Sequence, residues 1–147
     1  MLALPGVITI RSVRFEGRWE VNPKQFLQIG GAVLLLVGIL GFVGVIGPTA
    51  EDSIFGEDWW FDNGENWAHT ILGVAGLLAS FVFPAAAQRG LVFILGLTGL
   101  YFGIYSLFTE DFFGTNLENP LDTILHFVVG GWALLAAGYN RQPMRAM

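Results

Sequence analysis

Residues 53–72 read SIFGEDWWFDNGENWAHTIL, and residues 106–125 read SLFTEDFFGTNLENPLDTIL. Aligned without a gap, the two stretches are identical at ten of the twenty positions. Each stretch starts in an acidic, aromatic-rich region between two apolar segments and runs into the second of these segments. The sequence therefore predicts an internal repeat, in which a unit of helix, acidic loop and helix occurs twice.

The apolar segments around the repeated stretches predict a membrane protein. An α-helix needs ~20 residues to cross a bilayer, and four apolar segments are close to that length: 25–47, 67–87, 90–109 and 120–139. The chain is 54% hydrophobic and only 13% charged, against roughly 25% charged residues in soluble domains. We predict an all-α integral membrane protein, with four transmembrane helices forming two tandem helical hairpins that point the same way.

The domain organisation follows from these segments. Residues 25–140 form the predicted four-helix transmembrane domain, with repeat one at 25–87 and repeat two at 90–140. Residues 1–24 alternate apolar and charged side chains over part of their length, which predicts an extended cytoplasmic segment. They have no long apolar run before a small-residue cleavage site, so we expect them to stay on the mature chain. Residues 141–147 are a predicted cytoplasmic tail.

The distribution of charge predicts the orientation. All seven Lys and Arg residues lie before the first span, between the second and third, or after the fourth, whereas ten of the twelve acids lie in the other two loops or the first turns that follow them. Basic residues near span ends stay on the cytoplasmic side. We therefore predict cytoplasmic termini and outward-facing acidic loops, in the cytoplasmic membrane or in an internal energy-transducing membrane.

The repeated motif has an explanation in helix starts at a membrane interface. Asn66 and Asn119 are predicted N-caps, and Asp122 is placed to complete a capping-box-like exchange. Glu65 and Glu118 favour the positive end of the helix dipole. An aromatic belt at the outer interface is predicted from five residues: Trp59, Trp60, Trp67, Phe112 and Phe113.

The same motif also has a functional explanation. Asp122 and His126 are four residues apart and share a helix face, and His69 aligns with Asp122 in the repeat. Ionisable groups at this depth are costly and often functional. The group is compatible with a proton relay, with a cation held alongside Glu65 or Glu118, or with an axial imidazole from His126 or His69 to haem or chlorophyll. No metal site is predicted, because no HxxxH or HExxH spacing is present.

Glycines predict how the helices pack. Small residues let helix backbones approach closely in lipid, and four glycines at helical spacing are the main candidates: Gly38, Gly41, Gly99 and Gly103. Four close-packed helices leave little interior volume. This argues against a transporter that acts alone.

The pattern N-x-x-H-x-x-x-G-x-x-G, at Asn66, His69, Gly73 and Gly76, together with four apolar spans, resembles a widespread bacterial family of uncharacterised small four-helix membrane proteins. The resemblance covers most of residues 25–140. It implies a fold and a membrane location but no activity. The second copy departs from the pattern, with Asp122 where the histidine stands.

These observations predict a non-catalytic protein, because the sequence has no nucleophile–base pair, phosphate loop or metal-hydrolase signature. We expect an accessory or assembly subunit of a larger membrane protein complex, respiratory or photosynthetic, with no cofactor. Its expected partners are other integral membrane proteins and the lipid bilayer. A net charge of −5 without a basic patch argues against nucleic acid. The alternatives are a tetrapyrrole-carrying subunit that uses His126 or His69, and a small proton or cation conductor.

Overall fold

The computed structural model describes residues 22–138, which form four α-helices. The first acidic loop, residues 43–62, contains a 3₁₀ helix at Gly56–Asp58. The second acidic loop, residues 106–120, contains a two-stranded antiparallel hairpin of β1 (Asp111–Phe112) and β2 (Thr115–Asn116). The helices are α1 (Pro23–Phe42), α2 (Asn63–Val82), α3 (Ala85–Tyr105) and α4 (Leu121–Gly138). The predicted extended segment, except its last three residues, and the predicted C-terminal tail lie outside the described residues.

Three of the four helices, α1, α3 and α4, are long and apolar enough to cross a membrane. In α2 the first turn is polar, with Asn63, Glu65 and Asn66, and the helix ends at Val82 rather than at the predicted residue 87. Its apolar part is therefore shorter than the ~20 residues that a span needs. A fourth span and the sidedness of the loops stay predictions.

The turn between α2 and α3 lies earlier than the sequence predicts. Phe83 and Pro84 form the connection, and α3 begins at Ala85 rather than at residue 90. The buried Gln88 side chain stabilises this turn, because its Nε2 donates to the carbonyls of Phe83 at 2.9 Å and Ser80 at 3.0 Å. These carbonyls belong to the end of α2, where helix backbone acceptors lack intrahelical partners. Arg89 consequently lies within α3 and not in a loop.

Glycine contacts bring α1 and α2 together as one hairpin. A Cβ atom at Gly31 would lie 3.0 Å from the carbonyl oxygen of Gly73, and a Cβ at Gly73 would lie 2.8 Å from that of Gly31. Further along the interface, a Cβ at Gly38 would lie 2.8 Å from the carbonyl oxygen of Asn66, and one at Gly41 would overlap the Asn66 side chain. Real Cβ atoms would hold the helices apart, so glycine permits this approach.

The α3–α4 hairpin packs in the same manner. A Cβ at Gly99 would lie 2.9 Å from Gly130 Cα. A Cβ at Gly96 would lie 3.1 Å from the Gly130 carbonyl oxygen, and a Cβ at Gly130 would lie 3.0 Å from that of Gly96. A Cβ at Gly103 would lie 3.2 Å from the Phe127 ring. The predicted packing glycines Gly38, Gly41, Gly99 and Gly103 thus all lie within the two hairpin interfaces.

The two hairpins meet in a small apolar core at the end of the helices opposite the acidic loops. Every helix contributes to it, with Phe26 and Leu27 from α1, Ala79 from α2, Val92 from α3 and Ala133 from α4. The Phe26 and Trp132 rings lie edge to face, with centroids 4.6 Å apart. This core fixes the hairpins at one end, and the acidic loops join them at the other.

Candidate interaction site at the acidic loops

The two acidic loops are hydrogen-bonded to each other at a site we call the loop junction. Three bonds form it, each ending on a carboxylate oxygen: Trp59 Nε1 to Asp122 Oδ1 at 3.0 Å, Trp60 N to Glu118 Oε2 at 2.7 Å, and Asn116 N to Asp62 Oδ2 at 2.7 Å. Hydrogen bonds to charged acceptors are the stronger ones. The junction therefore holds both loops in one defined arrangement.

The start of α2 differs from the prediction. Asp62 is the N-cap, and it forms a capping box with Glu65: Glu65 N donates to Asp62 Oδ1 at 2.9 Å, and Asp62 N donates to Glu65 Oε2 at 3.2 Å. The prediction of Asn66 as N-cap is therefore wrong. The sequence Asp62-Asn63-Gly64-Glu65 has the D-x-x-E form of a capping box, and this pattern indicates the observed helix start.

Asn66 has a packing role instead. Its side chain is fully buried, its Nδ2 donates to the Phe61 carbonyl at 3.3 Å, and its Oδ1 has no conventional hydrogen-bond partner among the described residues. The position of a Cβ on Gly41 would coincide with this amide, so a Cα hydrogen of Gly41 points at it. Cα–H···O contacts of this kind recur at close helix interfaces. Asn66 thus joins α1 to the base of the first acidic loop.

The start of α4 lies five residues later in the repeat than that of α2, because Pro120 takes the place of Trp67. Proline disfavours helical geometry in the residue before it, so the helix begins at Leu121. Asn119 Oδ1 accepts a hydrogen bond from the Thr123 hydroxyl at 3.4 Å. Asp122 Oδ2 accepts a hydrogen bond from the Glu118 backbone amide at 3.0 Å. In a capping box, a side chain in the first turn likewise accepts from a backbone amide before the helix.

The buried carboxyl groups at the starts of α2 and α4 lie far from the Lys and Arg side chains that the structure describes. Glu65 is 4% exposed and Asp122 is 2% exposed, whereas the two basic residues of the described region, Lys24 and Arg89, lie at the opposite end of the helices. Burial raises the pKa of Glu65, which precedes the predicted span, to about 10, and the Asp122 charge adds to this rise. Burial also raises the pKa of Glu118 to about 7, against the lowering effect of its hydrogen bond from Trp60. Burial therefore favours the neutral form of Glu65 over the carboxylate.

The two histidines do not meet the Asp122 carboxylate in the way the sequence suggests. His126 Nδ1 lies 2.7 Å from the backbone oxygen of Asp122, while both carboxylate oxygens accept from other groups. The His69 ring stacks on Phe61 with centroids 4.9 Å apart, and its Nδ1 has no partner in the described structure. Within residues 22–138, no group of three or more His or acidic side chains is placed to hold a metal ion.

The predicted aromatic belt divides into buried and exposed members. Trp59 packs between Phe55 and Phe61, with its indole nitrogen in the loop junction. Phe112 is half-buried against α3, and Trp60 is half-buried as well. Trp67 is 58% exposed and Phe113 is 94% exposed. Trp67 and Phe113 are therefore the belt members most available to lipid or to another protein.

Phe113 occupies the tip of the β1–β2 hairpin in an unusual conformation. Its φ is 55° and that of Gly114 is 83°, and these two residues connect the paired Phe112 and Thr115. Two-residue hairpin turns with positive φ at both positions favour Asn-Gly, and a bulky residue in this region is an outlier. The Asp111 carboxylate stabilises the turn by accepting from Gly114 N at 2.9 Å. The sequence analysis predicts no hairpin here, although Gly114 lies between the turn-favouring residues Asp111 and Asn116.

An open cleft of about 770 Å³ lies between the two loops, beside the hairpin. Its walls include Trp60 and Asp62 from the first loop and its junction with α2, and Glu110, Asp111 and Gly114 from the second. The cleft is thus lined by several acidic side chains next to an exposed phenylalanine.

No family model, curated protein or solved structure matches this chain. The fold and site therefore define it as a helical protein with three helices that are long and apolar enough to cross a membrane, and with two joined acidic loops at one end. The resemblance to the bacterial four-helix family stays a prediction.

Proposed function

We propose that this protein is a non-catalytic accessory or assembly subunit that packs against a larger membrane protein complex. In this proposal all four helices lie in the membrane and the acidic loops lie on its outer side. The partner binds the surface formed by the β1–β2 hairpin and the neighbouring cleft. The observation that carries the proposal is Phe113, an aromatic side chain 94% exposed at the tip of an ordered hairpin.

The backbone conformation of Phe113 supports a role in binding. Non-glycine residues with left-handed φ cost free energy, of order 1–3 kcal/mol, and they cluster at functional sites. Asn at this position would satisfy the turn better and would not expose a large apolar ring. Phe108, 83% exposed in the same loop, adds a second aromatic side chain. A partner with an apolar pocket would bury these rings, and buried aromatic anchors dominate binding energy at interfaces.

The charge of the loops defines the rest of the expected partner surface. Acidic residues are exposed on both loops: Glu51, Asp52, Glu57, Asp58, Glu110 and Asp111. Complementary charge across an interface increases the association rate and selects the partner. We therefore expect an apolar pocket bordered by Lys or Arg on the outer side of the partner.

The loop junction supports the proposal through rigidity. Because its hydrogen bonds end on partly or fully buried carboxyl groups, separation of the loops would leave buried polar groups unpaired, which is costly. Binding to a preorganised surface loses less conformational entropy than binding to a flexible loop.

The test is gentle detergent extraction of the full-length protein from its native membrane, followed by size-exclusion chromatography and mass spectrometry. We expect a particle much larger than the 16.0 kDa chain with its micelle, containing other polypeptides. Phe113→Asn removes the ring but keeps a residue that tolerates positive φ, so this variant should fold and lose its partners.

The matched control is Ile54→Asn, which removes a 71% exposed apolar side chain from the first acidic loop. It should retain the partners. A solitary wild-type monomer would contradict the proposal, and so would equal partner retention by the Phe113 and Ile54 variants.

A second candidate function is a tetrapyrrole-carrying subunit, favoured by one contact. His126 Nδ1 lies 2.7 Å from the Asp122 carbonyl oxygen, which can only accept, so this contact favours the tautomer with its hydrogen on Nδ1. In that tautomer Nε2 would be the atom that holds a haem or chlorophyll through its metal ion. The purified wild-type protein would then show a visible absorption band that His126→Leu lacks. A wild-type spectrum without such a band contradicts this candidate.

A further inference from the structure

An apolar groove lies between α3 and α4, at the end opposite the acidic loops. It has a volume of about 610 Å³ and is lined by Ala86, Gly90, Phe93, Leu134 and Ala137, with Arg89 beside them. Nothing lies within 4 Å of a Cβ built on Gly90, so the groove is open at this point. Small residues thus leave a space on two helices that are otherwise closely packed.

Arg89 is the unusual member of this lining. It is half-buried, and the sequence has no Asp or Glu from residue 66 to 109 and none after residue 122. The acids of the described region all lie in the acidic loops or in the first turns of the helices that follow them, at the far end of the molecule. Within the described residues, Arg89 therefore has no acidic side chain near it.

We propose that the α3–α4 groove binds one anionic phospholipid, with its phosphate on the Arg89 guanidinium and an acyl chain along the apolar lining. The arginine fork matches phosphate geometry and forms two parallel hydrogen bonds to it. Basic pockets between membrane helices on the cytoplasmic side are typical sites for anionic headgroups. Here the apolar wall continues from the arginine along α3 and α4, both of which are apolar enough to cross a membrane.

Charge complementarity favours a lipid over a partner helix. A helix in this groove would have to supply an acid for Arg89 or leave its charge unpaired at the membrane edge, whereas an anionic lipid supplies both the charge and the apolar chain. The sequence after α4 contains Arg141 and Arg145 and no acid. The inference depends on membrane location but not on the proposed partner complex.

Native mass spectrometry of the full-length protein, released from nanodiscs, tests the proposal. The probes are phosphatidylglycerol and phosphatidylcholine with identical acyl chains. We expect a preference for phosphatidylglycerol of about fivefold, which corresponds to the roughly 1 kcal/mol that one arginine contributes near an anionic surface. Arg89→Gln should abolish the preference, and Arg89→Lys should retain part of it.

Two further variants separate the groove from general charge. Gly90→Leu places a side chain in the open space beside the groove and should reduce retention of both lipids. Gly131→Leu, which also has open space around its Cβ, should leave retention unchanged. Lys24→Gln removes an exposed charge at the same end and should keep the lipid preference. Equal binding of the two lipids by the wild type would overturn the proposal, as would an unchanged preference in a folded Arg89→Gln variant.

Discussion

The contact between Gly99 and Gly130 predicts a stability difference between two glycine-to-alanine substitutions on the same hairpin. A Cβ at Gly99 would lie 2.9 Å from Gly130 Cα and 3.2 Å from both Gly130 N and the His126 carbonyl oxygen. Carbon atoms in contact prefer a separation of about 3.5–4.0 Å, so the helices would have to separate by about 0.6 Å or more. The neighbouring atoms are all backbone and cannot relieve the clash by rotating.

The matched control is Gly131→Ala, because a Cβ at Gly131 has nothing within 4 Å. Both variants replace a helical glycine by alanine, and each gains about 0.8–1 kcal/mol of helix propensity. This contribution cancels when the two variants are compared. The difference between them then measures the packing strain, which we expect to be about 1–3 kcal/mol, in the range for overpacked interiors.

Equilibrium unfolding in mixed micelles, followed by tryptophan fluorescence, measures this difference. Gly131→Ala should equal or exceed the wild type in stability, and Gly99→Ala should fall below Gly131→Ala by the stated amount. If the two variants have the same stability, Gly99 does not lie in a tight helix contact and the α3–α4 packing described above is wrong.

Three other predictions concern the acidic loops. Asp122→Asn replaces an acceptor oxygen with an N–H group, so it loses the bond from Trp59 or the backbone amide and should lower the free energy of unfolding by about 1–3 kcal/mol, measured by chemical denaturation. Burial raises the pKa of Glu65 from 4.5 to about 10 in the folded state, so the free energy of unfolding of the wild type should fall as pH rises between these values. Glu65→Gln should be as stable as the wild type near pH 4.5 and increasingly more stable than it towards pH 9. Parallel pH profiles of the two proteins would contradict this. A cysteine at the exposed Glu57 should react with an impermeant reagent added to intact cells, and protection until lysis would reverse the predicted orientation.

The helical architecture could be predicted from the sequence because it depends on local composition. Apolar segments of membrane-spanning length locate the four helices, and glycine spacing identifies the residues that lie in the hairpin contacts. The boundaries depend on individual side chains. The predicted spans leave Gln88 in an interhelical loop, whereas in the structure it lies in α3 and its amide caps the end of α2. This contact depends on how the chain turns at Pro84, which local composition does not determine.

The loop junction could not be predicted, because it depends on contacts between residues far apart in the chain. Trp59 and Asp122 are separated by 63 positions, and each had a sufficient local explanation, as a belt residue and as a helix-start residue. The error at Asn66 has a different origin. Asn66 and Asn119 are aligned with each other, but α2 begins at Asn63 and α4 begins at Leu121, so neither asparagine directly precedes its helix.

Several positions that differ between the aligned stretches 53–72 and 106–125 contribute to the proposed interaction site. Trp59 donates to Asp122, whereas the aligned residues Phe112 and His69 form no such pair in the described structure. Trp60 is half-buried and donates its amide to Glu118, but its counterpart Phe113 is nearly fully exposed. The first loop thus supplies donors that hold the second loop in place, and the second loop presents the hairpin. Two helix ends at a membrane interface would not require one loop to hold the other in place. A surface that binds one partner in one orientation would require it.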